Sequence, residues 1–307
     1  MIHRRDCRGA SPDEMMAHRL LFIRGTIASP CRIEKTRMTN TDVISHSIRV
    51  PPVDLGNMGA PKDKSLSDTE PIRHPFRVPH VASHTSTQEV VLSVESYTLR
   101  GTLRWSGKPR GVVVFANGSG NSRHSPRNRF LSTVLTEAGF ATVLMDLLMD
   151  HESEAHWKAD EVELLVTRLS FAVKWLMTEP VLVGLPVGVL GDSTASAAAL
   201  IAAASQPGCI SAIVSRGGRT DLAWNELPAV QAPTMLLVGG SDESALEWNR
   251  AALGQLTCPK DMFVIPGVSH LFEEGGALER VAQLARMWFT QYLATEVAGA
   301  AGTRLPE

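Results

Sequence analysis

The stretch Val187-Gly188-Val189-Leu190-Gly191-Asp192-Ser193-Thr194-Ala195-Ser196-Ala197-Ala198-Ala199-Leu200 decides how this chain is read. Its first four residues form an apolar run of the length expected for a strand buried on both faces. Its last part is a run of small residues suited to a closely packed helix. Between them, Gly191-Asp192-Ser193-Thr194-Ala195 approximates G-x-S-x-G, the pattern of a sharp strand-to-helix turn that lifts a serine hydroxyl above a sheet. The last position is Ala195 rather than glycine, a departure of one methyl group. Taken alone, the stretch also fits a serine that merely caps an alanine-rich helix. Its surroundings have to decide.

Continuous apolar runs of the same kind recur at 111–116, 141–145, 210–214, 234–238 and 262–265. Ahead of them, 89–94 and 97–105 alternate apolar and polar residues, as an antiparallel hairpin with one solvated face would. Helical segments lie between the runs. Ser125-Pro126 supplies a cap and a first-turn proline, followed by Phe130, Leu131, Val134, Leu135 and Ala138 on one face and Gly139 as the stop. Val162, Leu165, Leu169, Val173 and Leu176 make a second amphipathic face, and Leu278, Val281, Ala285, Trp288 and Tyr292 a last one. Strand and helix alternate from 111 to 293, the signature of an α/β protein with a mostly parallel, doubly wound sheet and helices on both faces.

In such sheets functional groups gather at the carboxyl ends of the strands. The run at 234–238 ends in Gly239-Gly240-Ser241-Asp242, and the run at 262–265 ends in Pro266-Gly267-Val268-Ser269-His270. A serine that attacks a carbonyl needs an imidazole to take its proton and a carboxylate to orient that imidazole. Ser193, Asp242 and His270 are therefore the expected catalytic residues. Separately, Asp242 also suits a cap for the helix that begins near Ser244, and His270 an ordinary turn residue. The developing oxyanion needs backbone N–H groups. One is expected from Thr194, which follows the nucleophile, and the second from Ser119 in the loop Asn117-Gly118-Ser119-Gly120.

Composition narrows the classes of partner. With 307 residues, 44% of them hydrophobic and 20% charged, the chain has the make-up of a globular protein with a sizeable core. A formal net charge of -2 gives no electrostatic case for nucleic acid or an anionic membrane. Cys7, Cys31, Cys209 and Cys258 lie far apart, without a CxxC pair or histidines at ligand spacing, so no metal is expected and a cytoplasmic setting with reduced thiols is. Residues 1–86 differ from the rest: Pro12, Pro30, Pro51, Pro52, Pro61, Pro71, Pro75 and Pro79 punctuate them, and apolar periodicity is weak. A disordered or loosely packed extension is expected there, with a domain over 87–295 and a flexible tail over 296–307. A basic start with a short apolar patch at 20–23 admits a targeting peptide, but an extension, or a true start at Met38, fits it better.

The phrases VVFANGSGNSRHSPRNR, LGDSTASAAAL, IVSRGGRTDLA, PTMLLVGGSDESALEWNR and PGVSHLFEE together resemble the dienelactone-hydrolase-like branch of the α/β-hydrolases, over roughly 88–294. Similar phrases occur in hydrolase domains fused behind a phosphoribosyltransferase domain, but nothing in 1–86 looks like such a transferase. The resemblance implies an α/β-hydrolase fold without a large cap domain, cleaving small esters or lactones without a metal or organic cofactor. Two departures matter. The prototype enzymes use cysteine where this chain has Ser193, and the usual His-Gly before the oxyanion loop is Asn117-Gly118 here. A serine hydrolase forming an acyl-enzyme on a small acyl substrate is the leading expectation. Thioester or carbon–carbon cleavage and acyl transfer use the same triad, and a ligand-binding protein on this scaffold is a further alternative. Asn117, Gly118, His124, Arg216 and Arg219 are candidate substrate contacts. For Arg216 and Arg219, internal pairing with Asp146, Asp192 or Asp221 competes with binding an anionic substrate, and for His124 a solvated loop position competes.

Overall fold

A computed structural model describes residues 85–94, 97–117, 122–148, 152 and 158–293. Strand β3 (Val112–Asn117) shows how the core is divided: Val112, Val114 and Ala116 point to one side of the sheet, Val113 and Phe115 to the other, and all are fully buried. This two-sided burial explains the unbroken apolar runs of the sequence, because neither face of a central strand meets water. On the first face Val143, Val189, Ile213 and Leu236 from neighbouring strands pack with helices α2 (Lys158–Leu176) and α3 (Thr194–Ser205). On the second, Leu144, Leu190, Val214 and Leu237 pack with α1 (Pro126–Glu137) and α5 (Ala277–Tyr292). Each fully buried side chain of this size stabilises the fold by about 1.5–3 kcal/mol relative to exposure.

The sheet has eight strands in the order β1-β2-β4-β3-β5-β6-β7-β8. Strands β1 (Thr85–Val94), β2 (Tyr97–Ser106) and β4 (Ala141–Asp146) pair antiparallel in succession. From β4 onward every pairing is parallel, through β3, β5 (Val187–Asp192), β6 (Ala212–Arg216), β7 (Thr234–Gly239) and β8 (Lys260–Ile265). All carboxyl ends of the parallel strands therefore lie along one edge.

Three expectations shift. The first strand, expected over 89–94, starts four residues earlier, at Thr85. The strand expected at 210–214 is found at Ala212–Arg216, because pairing with β5 carries Ser215 and Arg216 into the sheet despite their polarity. Pro126 opens α1 as expected, but the Ser125 hydroxyl makes no cap bond to the helix. Gly139 ends that helix with φ 87°, a conformation glycine adopts without strain. Residues 1–84 and 296–307, with Cys7 and Cys31, lie outside the described residues. Among the described residues, no helix is long and apolar enough to cross a membrane.

Candidate active site

Ser193 stands between the end of β5 and the first residue of α3, with φ 49° and ψ -122°. A non-glycine residue in that region carries about 1–3 kcal/mol of strain and persists only where its surroundings over-determine it. Here two backbone bonds bracket it: Ser193 N–H donates to Arg216 C=O at 3.2 Å, and Arg219 N–H donates to Ser193 C=O at 3.2 Å. Gly191 lets the helix approach, since a Cβ at that position would lie 2.7 Å from Ser196 Cα. The methyl group of Ala195, the position where the motif departs from glycine, is fully buried in the core on the α2 and α3 face. Thr194 N–H belongs to the first residue of α3 and so lacks an acceptor within the helix.

Asp242 follows β7 and caps α4 (Glu243–Gln255): its Oδ1 accepts from Ala245 N–H at 3.0 Å. Its Oδ2 lies 2.7 Å from His270 Nδ1. One carboxylate thus serves both roles that the sequence left open, one oxygen for the helix and the other for the imidazole. An imidazole donating from Nδ1 keeps Nε2 as an acceptor. Among the described residues, no hydrogen bond joins Ser193 Oγ to that ring. Looser geometry in a free site that tightens on binding is usual.

The loop bearing His270 is held from three sides. Ser269 N–H donates to Glu274 Oε1 at 2.9 Å. Arg127 Nη1 donates to Leu271 C=O at 2.9 Å and pairs with Glu273 Oε1 at 3.0 Å. Phe272 is buried against the second core with φ 54°. Hydrogen bonding with Ser269 holds the Glu274 carboxyl below its ordinary range. An acid depressed in this way stays ionised at neutral pH, and its hold on the loop is lost only as pH falls through that lowered value.

Along the carboxyl edge, Asp146 (β4), Asn117 (β3), Asp192 (β5) and Arg216 (β6) stand in register on neighbouring strands. Arg216 is buried and pairs through Nη2 and Nε with Asp192, the residue before Ser193. The geometry is therefore that of an internal ion pair. Asp192 remains a third exposed, so breaking the pair costs less than for two fully buried charges. Arg216→Met is expected to lower stability by about 2 kcal/mol, read from urea unfolding followed by tryptophan fluorescence. An unchanged midpoint would show that the pair does not support the elbow. Asp146 is taken by Arg123, through the backbone N–H at 3.0 Å and Nε at 2.7 Å, while Arg123 Nη1 reaches Glu89 at 2.7 Å. Arg219 pairs with Asp221.

Ser193, Asp242 and His270 line one open cleft of about 630 Å³, together with Arg219, Ser241, Glu243, Ser244 and Trp248. His124 is exposed in a short turn and does not line this cleft. Asn117 is buried, and among the described residues neither its Oδ1 nor its Nδ2 has a hydrogen-bond partner. Gly118 and Ser119 lie outside the described residues. Ser241, Glu243, Ser244 and Trp248 were not expected from the sequence. Ser244 and Trp248 are four apart on α4 and so share a face, a spacing visible in the sequence once Asp242 is placed at the site. No group of three or more His, Cys, Asp or Glu side chains among the described residues is placed to hold a metal ion.

The sheet order, the helices on its two faces and the serine elbow at the end of β5 define an α/β-hydrolase. No protein-family profile matches the chain. A dienelactone hydrolase from Anabaena variabilis is 47% identical and superposes with a TM-score of 0.65, over 68% of this chain and 99% of that one. By that likeness the chain belongs to the dienelactone hydrolase family and is a hydrolase of the α/β type. A protein of Mycobacterium tuberculosis provisionally named a phosphoribosyl transferase is 48% identical over 206 residues, 67% of this chain. This chain spans only about half of that relative, 46% of its length. A cold-adapted esterase from an Arctic intertidal metagenomic library, 16% identical with a TM-score of 0.53 over 67% of this chain and 95% of that one, shares the fold.

Proposed function

We propose that the chain is a serine hydrolase that cleaves a small carboxylic ester or lactone through an acyl-enzyme. The observation that carries this reading is the Asp242–His270 pair at 2.7 Å in the same cleft as Ser193, on a turn with φ 49°. Ser193 Oγ attacks the carbonyl carbon while His270 Nε2 takes its proton, and Asp242 offsets the charge on the imidazolium. Thr194 N–H and an N–H from the loop containing Ser119 receive the oxyanion. Collapse breaks the bond to the alcohol oxygen, which leaves with the proton from His270. Water then attacks the acyl carbon with His270 as base, and Ser193 is released with its proton restored.

The test is covalent labelling. A fluorophosphonate is expected to form one adduct, located at Ser193 by peptide mass spectrometry, and to form none on Ser193→Ala. An adduct elsewhere, or hydrolysis of a short 4-nitrophenyl ester that survives in Ser193→Ala, would sink the assignment.

A further inference from the structure

The Arg219 guanidinium stands on the wall of the cleft that holds Ser193 and His270. A free guanidinium there would favour an acyl group ending in a carboxylate, because its planar fork matches two carboxylate oxygens. One edge of that fork, Nε and Nη2, is already taken. Nε donates to Asp221 Oδ1 at 2.9 Å and Nη2 to Asp221 Oδ2 at 2.8 Å. The guanidinium also lies over the Trp248 ring, 4.5 Å from its centroid, which fixes the plane of the fork. Arg219 and Asp221 are two residues apart at the start of a short turn, Thr220–Ala223, so the pair is preformed at little entropic cost. The hydrogen bonds that Arg219 donates to Asp221 raise its pKa, so the guanidinium stays a cation.

The other charged groups of the lining that could ionise as acids are Asp242 and Glu243. With Asp221 added, the cleft and its wall carry three carboxylates against one guanidinium. An incoming carboxylate would have to displace Asp221 or take the remaining Nη1 edge of a guanidinium whose charge Asp221 already offsets. An uncharged ester meets neither obstacle, and Ser241, Ser244 and the Trp248 ring offer it hydroxyl groups and an apolar surface.

We propose that Asp221 is a specificity-determining residue: it takes the Nε/Nη2 edge of Arg219 as a built-in counter-ion, and thereby favours uncharged esters in the cleft over carboxylate-bearing ones. This rests on the serine-hydrolase reading above.

The test compares 4-nitrophenyl butyrate with mono(4-nitrophenyl) succinate, which differ in a terminal methyl group against a carboxylate. The intact protein is expected to favour the butyrate by tenfold or more in kcat/KM, on the order expected for turning away one charged hydrogen-bonding group. Asp221→Asn, which keeps the shape of the turn, is expected to raise the succinate-to-butyrate ratio about tenfold. Asp221→Ser serves as a second variant, and Arg219→Gln combined with Asp221→Asn should return the ratio to its starting value. The two substrates turned over equally by the intact protein, or a ratio that neither Asp221 variant moves, would overturn the proposal. No turnover of either ester, together with no fluorophosphonate adduct, would instead overturn the serine-hydrolase reading itself.

Discussion

Replacing Asp242 by Asn is expected to lower kcat on 4-nitrophenyl butyrate by about ten-thousandfold while changing stability by less than about 1 kcal/mol. The two effects separate because the two carboxylate oxygens have separate duties. Asn retains an oxygen that can accept from Ala245 N–H, the 3.0 Å bond that caps α4, and it caps helices about as well as Asp. It has no charge with which to offset the imidazolium, and its amide group favours the wrong tautomer of the ring now held at 2.7 Å. Asp242→Ala should show the same loss of kcat plus about 1 kcal/mol of lost stability, because the cap goes as well. Steady-state kinetics and urea unfolding on the two variants check both halves. A kcat within tenfold of the original in the Asn variant would mean that Asp242 is only a helix cap and that the partner of His270 has to be sought elsewhere.

Gly191→Ala is expected to affect fold and site together. Its Cβ would fall 2.7 Å from Ser196 Cα, 3.0 Å from Ser196 N and 3.1 Å from Ala195 O. All three are backbone atoms, so no side-chain rotation relieves the clash and α3 has to move away from β5. Overpacking of this kind costs about 1–3 kcal/mol, which lowers the melting temperature by roughly 3–10 °C for a domain of this size. The larger consequence falls on Ser193, whose position is set by the junction of that strand and helix. A displacement of 1 Å at a reacting atom lowers rate by about a hundredfold, so fluorophosphonate labelling should slow by at least that factor. Labelling at an unchanged rate, with the melting temperature lowered, would show that the elbow tolerates a shifted helix.

Much of the architecture was legible because it rests on local regularities. Two-sided burial of β3, β5, β6 and β7 demands apolar runs without alternation, and those runs mark the parallel strands. Glycine at 191 and 139 marks where the backbone turns or where a helix has to come close. The order of Ser193, Asp242 and His270 at three strand ends follows from chain direction alone, since all parallel strands end on one edge. Where the reading slipped, a polar residue was held by a partner remote in sequence. Arg216 extends β6 because Asp192 meets it from the neighbouring strand, and no window of the sequence contains both. Trp248 reaches the cleft because Asp242 caps α4 and so sets where that helix begins and which face turns inward.

Ser193, the residue on which the opening stretch turns, illustrates the division. The sequence by itself determined that a serine would sit between a buried strand and a small-residue helix, because residue size and apolar run length constrain the chain locally. Only the tertiary structure decided its φ of 49°, which is held by Arg216 and Arg219 from another strand end, and the duties of the charges around it. Hydrogen bonds and ion pairs act over a few ångströms of space, whatever the distance along the chain. That is why Asp242 serves a helix and a histidine at once, and why Asp221, two residues from Arg219, takes up the guanidinium on the cleft wall.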